Sequence, residues 1–429
     1  MVRLTPWQAY EEVKEAVVGY LEGRYRVVHP LVFGERAELL RRPGVVAGSP
    51  FVEATPAFPT GAMLADLEKE CPAAAPPGIT ELVSHGIPLD RFPLYLHQEQ
   101  ALKAAVGGRP NLLIATGTGS GKTEAFLLPI LADILREAPS WPAPADPEEP
   151  AGFDPGVGYR PRRRHERRPA AVRALILYPM NALVNDQLAR LRRILVRNGS
   201  PDWQRARFRG NLIYFAMYTS LLKPTGRPDL NRWQKFNVYL DRVRDEWEAL
   251  PEHLRASGMW PAPEGPELLC RWDIQDAPPD ILITNYSMLE HMLLRPLEAP
   301  IFEATRRWLA ETDGARFTLV VDEVHTYTGA RGTETAYLIR RLKERLGLER
   351  GDPRFRAVAS SASVDPADRE RLQEFAAGLF DEPPTASPSS RSPSPRRGRP
   401  RRLSRPAWRP SEAFTKTSSP PTPSRPSGG

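Results

Sequence analysis

Short apolar runs alternate with longer amphipathic segments from about residue 91 onwards. Several of the runs are apolar on both faces, which predicts buried parallel strands. The predicted strands are Asn111–Ile114, Ala174–Tyr178, Leu212–Met217, Ile281–Thr284, Phe317–Val321 and Arg356–Ala359. Helices are predicted between them, and one shows an apolar stripe formed by Val184, Leu188, Leu191 and Leu195. This alternation predicts an α/β fold, with an open parallel sheet and helices on both faces.

Three regions are predicted along the chain. Residues 1–90 form an N-terminal accessory region of mixed α/β character, with an amphipathic helix over Trp7–Leu21. The sheet-and-helix unit covers 91–380 and holds two insertions, at about 139–169 and 201–279. The first insertion is rich in proline and carries a run of arginines, which predicts an unstructured loop with solvated charges. The second predicts a small lobe that docks on the core.

The third region, residues 381–429, contains twelve prolines and eleven serines, and its only large apolar side chains are Leu403, Trp408 and Phe414. This composition predicts a disordered tail. The net charge of the chain is +7, and ten of its 59 Lys and Arg and three of its 52 Asp and Glu lie in this tail. Residues 1–380 are therefore neutral, and bulk charge gives no indication of what the folded part binds.

The two cysteines, Cys71 and Cys270, exclude a disulfide framework and a zinc cluster and suit a reducing compartment. No run approaches the roughly 20 apolar residues of a membrane span. The N-terminal segment has no apolar core of signal-peptide length. We expect a soluble, cytoplasmic protein with no membrane partner.

The segment Ala115–Glu124, ATGTGSGKTE, lies between a predicted strand and a predicted helix. Glycines allow backbone N–H groups to approach phosphate oxygens, and a helix N-terminus adds partial positive charge. We therefore predict an ATP-binding phosphate loop rather than a flexible turn with a surface lysine, although Thr116 replaces the glycine of the strict pattern. Lys122 is expected to reach the β- and γ-phosphates, and Thr123 to hold Mg²⁺. The loop residues predicted to bind ATP are Thr118, Gly119, Ser120, Gly121, Lys122 and Thr123.

Two carboxylates follow the predicted strand of LVVDEVHTYTG, Leu319–Gly329. Asp322 at the strand tip is expected to hold Mg²⁺, and Glu323 to orient and deprotonate the attacking water. Together with Lys122, Glu323 is a predicted catalytic residue. Alone, an Asp-Glu pair after a strand could be a plain acidic turn, but its pairing with the upstream phosphate loop favours an ATP site.

With this loop upstream, Asp322-Glu323-Val324-His325 resembles the DEAD/DEAH box of superfamily 2 helicases, here in a DEVH form. LYLHQEQAL, Leu94–Leu102, resembles the adenine-reading Q motif, in which Gln98 would contact the base; the alternative is a polar helix start. SSAS, Ser360–Ser363, replaces the Ser-Ala-Thr of motif III. The resemblance implies that hydrolysis is coupled to strand movement through His325, Ser361 and Ser363.

Two further motifs imply contacts with a nucleic-acid backbone. LYPMNALVNDQ, Leu177–Gln187, resembles motif Ia, and ILITNYSMLEHMLLRP, Ile281–Pro296, resembles motif Ib. The implied nucleic-acid-binding residues are Pro179, Asn181, Thr284, Asn285 and Tyr286. The implied partner is single-stranded or tailed DNA; the choice of DNA over RNA comes from the resemblance alone, because no motif reads a 2′-hydroxyl.

The motifs together resemble a bacterial group of large DEAD/DEAH-box helicases whose relatives act in DNA repair and phage restriction. The resemblance covers about residues 1–380 and implies a RecA-like lobe of an ATP-dependent helicase or translocase. Such helicases need a second RecA-like lobe, and no signature of one follows Ser363. We therefore expect a truncated motor that binds ATP and Mg²⁺ but hydrolyses ATP slowly. The alternative is a non-catalytic nucleotide- and nucleic-acid-binding module that depends on a partner protein for the second lobe.

Overall fold

The structure is a computed structural model that describes residues 5–24, 29–48, 50, 57–106, 111–117, 119–146, 148–154, 156–179, 181–362 and 369–383. Its strands are β1 (Leu112–Ala115), β2 (Gly152–Asp154), β3 (Gly158–Arg160), β4 (Ala174–Tyr178), β5 (Phe215–Tyr218), β6 (Ile281–Asn285), β7 (Phe317–Val321) and β8 (Phe355–Ser361). Its helices are α1 (Pro6–Arg24), α2 (Pro30–Arg41), α3 (Leu64–Glu70), α4 (Ile79–Ser84), α5 (Leu96–Ala104), α6 (Lys122–Glu137), α7 (Asn181–Leu195), α8 (Ser200–Arg207), α9 (Leu230–Ala249), α10 (Glu252–Ala256), α11 (Arg271–Asp276), α12 (Tyr286–Leu294), α13 (Ala299–Glu311), α14 (Gly329–Leu346) and α15 (Arg369–Phe380).

Six strands form one sheet in the order β1-β8-β7-β4-β6-β5, and every neighbouring pair is parallel. The predicted α/β fold class is therefore confirmed. The bounds of β4 and β7 agree with the sequence prediction. By contrast, β5 begins at Phe215, three residues later than predicted, although Leu212–Tyr214 are fully buried. The N–H of Tyr214 donates to the Asp280 carboxylate (2.8 Å) and the N–H of Ile213 donates to Oε1 of Gln204 (2.9 Å), so neither N–H donates to a neighbouring strand.

Alternate residues of the central strands face two separate cores. Ile176 of β4 packs on the side that carries α3 to α7, whereas Leu177 packs on the side that carries α12 to α15. This alternation follows from the two-residue period of a strand. A sheet covered on both faces positions its strand ends firmly, and the loops after those ends carry the candidate site.

The first insertion is folded, so the predicted unstructured loop is wrong for its described residues. Strands β2 and β3 form an antiparallel hairpin. Tyr159 of this hairpin packs against Trp233 and Trp272 of the second insertion, with ring centroids 5.5 Å and 5.1 Å apart. The two insertions therefore share a small apolar cluster, which a scan of local composition does not reveal.

The arginines of the first insertion are only partly solvated. Arg164 and Arg167 are exposed, as predicted, but Arg163 and Arg168 are buried. The guanidinium of Arg168 donates two bonds of 2.7 Å to the carboxylate of Asp280, 112 residues further along the chain. Arg173 donates to the same carboxylate (2.7 Å). The prediction of a solvated charge run is therefore wrong for Arg163 and Arg168, because Arg163 donates to Glu166 and to the distant carbonyl of Pro278, and Arg168 donates to the distant Asp280.

The described N-terminal region is helical, with one isolated strand-like bridge between Thr60 and Tyr95. Helices α3 and α4 contribute Leu64 and Ile79 to the core that covers one face of the sheet. The predicted disordered tail lies, from residue 384 onwards, outside the described residues. Among the helices that the structure describes, none has the length and apolar character needed to cross a membrane.

Candidate active site at the carboxyl ends of the central strands

The candidate catalytic residues follow β1 and β7, the two strands on either side of β8. The loop with Lys122 follows β1, Asp322 and Glu323 follow β7, and β8 lies between these two strands and ends at Ser361. In the ladder, Ala115 of β1 is opposite Ser361 of β8, and Val321 of β7 is opposite Ala359. Parallel strands end at the same edge of a sheet, and open α/β sheets bind ligands at that edge.

The phosphate loop has the backbone that its glycines predict. Gly119 and Gly121 have φ of 76° and 75°, in the left-handed region. Gly121 is the N-cap of α6, and no side chain caps this helix start. The hydroxyls of Thr116 and Ser120 are 2.7 Å apart, so the residue that replaces the expected glycine is hydrogen-bonded within the loop. Thr118 lies outside the described residues.

Lys122 faces the second half of the site. Its Nζ is 3.4 Å from Oε1 of Glu323 and 3.4 Å from the carbonyl oxygen of Ser361. Both contacts are longer than the roughly 2.8 Å that is usual for charge-assisted hydrogen bonds. The cation is therefore held loosely between a carboxylate and a carbonyl, in a position that suits exchange for a phosphate oxygen.

Ser360 organises the two carboxylates at the end of β7. Its hydroxyl donates to Asp322 and accepts the N–H of Glu323 (3.3 Å). Burial raises the pKa of Asp322, and the hydrogen bond from Ser360 opposes that rise. Glu323 has φ of 50°, which costs a residue other than glycine about 1–2 kcal/mol. Ser360 had no role predicted from the motifs, because its contacts with Asp322 and Glu323 exist only once β8 lies beside β7.

His325 joins Glu323 to β8. Its Nδ1 lies 3.3 Å from Oε2 of Glu323 and 3.3 Å from the hydroxyl of Ser361. The N–H of Ala362 donates to the same nitrogen (3.4 Å). Two of the three predicted coupling residues, His325 and Ser361, are thus brought together. Ser363 lies outside the described residues.

Gln98 bonds to the phosphate loop as well as to its own helix. Its Nε2 donates to the carbonyl of Gly121 (3.0 Å), and its Oε1 accepts the N–H of Tyr95 (2.9 Å). The second bond belongs to the capping box at the start of α5, so the alternative of a polar helix start describes a real contact. One N–H and one lone pair of the amide remain for a ligand. A cavity of about 570 Å³, lined by Phe92, Tyr95, Gln98 and Lys122 among others, lies beside this amide.

Two contacts that the motifs did not predict join the phosphate loop to α7. Nε2 of Gln187 donates to the hydroxyl of Thr123 (3.2 Å), and Arg190 pairs with Glu124. Gln187 lies within the quoted motif Ia, and Arg190 follows it by three residues, on the same side of the helix. This spacing is the only signal in the sequence that pointed to the pair.

The predicted nucleic-acid contacts lie at the ends of neighbouring strands. Tyr178 of β4 is opposite Asn285 of β6, so the segments after both strands begin side by side. Asn285 caps α12 and accepts the N–H of Met288 (2.8 Å), and Tyr286 is half-buried against the core. The Thr284 side chain is fully buried, and its hydroxyl donates to the carbonyl of Tyr218 (2.7 Å). In this conformation that hydroxyl is used within the sheet.

The other two predicted contacts are in the segment between β4 and α7. Pro179 is partly exposed, and its carbonyl accepts a long bond from Arg331 (3.4 Å). Asn181 is the first residue of α7, and the structure describes only its backbone. The structure thus brings the two segments together through their backbones.

The donor set fits a magnesium ion that is bound mainly through phosphates. Mg²⁺ usually takes one or two carboxylates, waters and phosphate oxygens. Asp322 and the hydroxyl of Thr123 supply oxygen donors at the strand end and the loop. Over the described ranges no group of three or more His, Cys, Asp or Glu side chains could hold a metal by itself.

Comparisons with known proteins agree with the motifs. Residues 95–209 match the family model of DEAD/DEAH box helicases. The chain is similar to the Druantia protein DruE of Escherichia coli (strain UMEA 4076-1), with 34% identity over 425 residues. That alignment covers 88% of this chain and 21% of DruE, so the chain spans about a fifth of this relative's length.

Solved structures of the DUF1998 helicase MrfA are also similar. The alignment with the form bound to DNA and AMPPNP has 19% identity and a TM-score of 0.40. It covers 76% of this chain and 30% of the MrfA chain. The alignment with the form bound to DNA has 20% identity and a TM-score of 0.41. It covers 76% of this chain and 28% of the MrfA chain. The family model and the likeness to DruE confirm the predicted relationship to superfamily 2 helicases of the DEAD/DEAH type.

Proposed function

We propose that this chain, whose residues 95–209 match the DEAD/DEAH box helicases, contains the nucleotide-binding motor lobe of a nucleic-acid-dependent ATPase. The proposal rests on the 3.4 Å contact between Nζ of Lys122 and Oε1 of Glu323. This contact brings the phosphate loop next to the Asp322-Glu323 pair, across β8. A cation from the glycine-rich loop after β1 and two carboxylates from the end of β7 are the groups that phosphoryl transfer requires.

Each group has a role that its contacts support. Lys122 and the uncapped start of α6 would hold the phosphates, and Gln98 with the adjacent cavity would hold the base. Thr123 and Asp322 would hold Mg²⁺, which supplies neutralisation of the phosphate charge when bound. Glu323 would accept a proton from the attacking water. Its contacts with Lys122 and His325 are 3.3–3.4 Å long, so the carboxylate is free to reorient.

The proposed nucleic-acid face is the strand-end segment after β4 and β6, around Pro179 and Asn285. Backbone groups at such strand-to-helix turns suit sequence-independent phosphate contacts. Helix α7 starts at this face and contacts the phosphate loop through Gln187 and Arg190. We propose that α7 couples strand binding to the state of the nucleotide. Single-stranded DNA is the proposed partner, on the resemblance to the family.

The test is a titration of the purified chain with a fluorescent ATP analogue and Mg²⁺. Lys122→Ala should abolish binding, because it removes the cation that faces the phosphates. Lys69→Ala, which changes an exposed lysine on α3, is the matched control and should bind like wild type. Equal affinity of wild type and Lys122→Ala would overturn the phosphate role.

Steady-state hydrolysis then separates a motor lobe from a binding module without turnover. ATPase activity is measured with and without single-stranded DNA, and Glu323→Gln controls for contaminating enzymes. Stimulation by DNA that is lost in Glu323→Gln supports the motor. Nucleotide binding without any Glu323-dependent hydrolysis favours a module that requires a partner.

A further inference from the structure

The second insertion builds a groove beside the proposed nucleic-acid face. We call it the insertion groove, and it is lined by Leu221, Lys223, Arg232, Lys235, Tyr239 and Met259 among other residues. Its volume is about 660 Å³, within the range of sites that hold molecules of nucleotide size. None of the motifs assigned above includes its basic or apolar lining residues.

The groove lies on the carboxyl side of the edge strand. Tyr218 at the end of β5 is opposite Thr284 of β6, so the chain from Thr219 onwards leaves the sheet next to the segment that follows β6. Asn185 and Leu188 of α7 form another wall. The insertion groove therefore continues the row of strand ends that starts after β4 and β6.

The part of the second insertion that lines the groove is more basic than the folded chain as a whole. Residues 219–239 contain four basic side chains and one acidic one, whereas residues 1–380 as a whole are neutral. The acidic residue, Asp229, is paired with Arg232 (3.2 Å). Lys223 and Lys235 are exposed, and neither makes an ion pair within the described part of the chain. At the groove wall, Glu267 is neutralised by Arg192 through two bonds of 2.7 Å.

Apolar side chains lie next to these cations. Leu221, Tyr239 and Met259 are 69%, 47% and 58% exposed, which is high for such side chains. A polyanion alone would need only the lysines. An occupant that also presents flat apolar surfaces, as the bases of a single strand do, uses both parts of the lining.

We propose that the insertion groove binds single-stranded nucleic acid, with phosphates at Lys223 and Lys235 and a base against Tyr239. This inference rests on the proposed function, because the same strand would cross the ends of β4 and β6. It assigns to the second insertion the extension of the binding track beyond the edge of the sheet.

The test measures fluorescence anisotropy of a 5′-labelled oligo(dT) of twelve nucleotides, over a range of salt concentrations. Lys223→Gln with Lys235→Gln should lower the affinity about tenfold at low salt. The slope of log affinity against log salt should become shallower by about 1.4, since each single-strand phosphate contact contributes about 0.7. Tyr239→Ala should lower the affinity at least fivefold, through lost stacking.

The matched control is Arg306→Gln with Arg307→Gln. It removes two exposed charges from α13, on the opposite face of the sheet from α7, and should leave affinity and slope unchanged. Every variant is also titrated with the fluorescent ATP analogue. Normal nucleotide binding with altered DNA binding separates the groove from the nucleotide site.

Photocrosslinking locates the strand directly. Oligo(dT) that carries 4-thiothymidine should label the tryptic peptide Phe236–Arg242, which contains Tyr239, and Tyr239→Ala should reduce that label. Because the label is located on this peptide, nonspecific binding of the oligonucleotide to the basic residues after 380 does not affect the result. Unchanged affinity and slope in the lysine variant, with no label on this peptide, would overturn the proposal and make an acidic protein segment the next occupant to test.

Discussion

Nζ of Lys122 lies 3.4 Å from Oε1 of Glu323, although the two residues are 201 positions apart in the chain. They meet because β1 and β7 are separated by a single strand, β8, and all three end at the same edge of the sheet. The contact joins the lysine of the phosphate loop to the second carboxylate of the Asp322-Glu323 pair. A ligand phosphate that binds Lys122 would break this contact and leave the Glu323 carboxylate free. Nucleotide binding and the catalytic carboxylate are therefore linked through one contact.

Glu323→Gln should separate nucleotide binding from hydrolysis. The amide cannot accept a proton from water, so hydrolysis should fall at least about a hundredfold. Affinity for the nucleotide should stay equal or increase, because the variant removes a carboxylate that competes with phosphate for Lys122. Phosphate release and analogue titration measure the two effects. Hydrolysis at the wild-type rate would exclude Glu323 as the base.

Ser360→Ala should weaken the organisation of the carboxylate pair. The variant removes the donor to Asp322 and the acceptor for the Glu323 N–H. We expect the Mg²⁺ concentration for half-maximal nucleotide binding to rise several-fold. Ser361→Ala is the matched control, since its hydroxyl lies near His325 instead. An equal shift in both variants would mean that any change at the end of β8 disturbs the site.

Gly121→Ala and Gly119→Ala compare two left-handed positions in the same loop. Both substitutions impose backbone strain of about 1–2 kcal/mol on the folded state. At Gly121 a Cβ would also come within 2.3 Å of Nε2 of Gln98, whereas at Gly119 it meets nothing within 4 Å. Gly121→Ala should therefore be the more destabilising in thermal unfolding without nucleotide, and adding Gln98→Ala should recover part of the difference. Equal destabilisation would show that the Gln98 contact is unimportant.

Asp280→Asn should destabilise the fold strongly. Its carboxylate is fully buried and holds the guanidinium groups of Arg168 and Arg173. Removal of one partner from such a group leaves buried charge uncompensated, which costs about 3–5 kcal/mol in unfolding free energy. Asp276→Asn, four residues away and exposed, is the control. Denaturant unfolding measures both, and a loss below about 1 kcal/mol for Asp280→Asn would contradict the role of this cluster.

The same carboxylate should give the fold a defined acid sensitivity. Burial by itself would raise the pKa of Asp280, but the charges of Arg168 and Arg173 outweigh it and lower the pKa to about 2. An unfolded aspartate titrates at about 3.9. Because the folded pKa is the lower one, the stabilisation is complete above about pH 4 and is lost as the pH falls towards about 2. The difference in unfolding free energy between wild type and Asp280→Asn should shrink over that window; a constant difference would exclude the linkage.

The sequence alone determined the elements that depend on local pattern. Ala174–Tyr178 and Phe317–Val321 were predicted with the observed bounds, because an uninterrupted apolar run between polar loops specifies a buried strand by itself. The loop from Ala115 to Glu124 was readable for the same reason, since its glycines and its place before a helix are local properties. The pairing of this loop with Asp322 and Glu323 was predicted from the presence of both motifs in one chain.

Only the tertiary structure decided which distant groups meet. Arg168 and Arg164 look alike in the sequence, yet one is buried on Asp280 and the other is exposed. Ser360 contacts the carboxylate pair because β8 lies between β1 and β7. The hydroxyl of Thr284 donates to the carbonyl of Tyr218 because β5 pairs with β6. The physical reason is that periodicity records whether a position is buried, whereas the order of the strands chooses its partner. A hydrogen bond acts over about 3 Å in space and leaves no trace in residues that are a hundred positions apart.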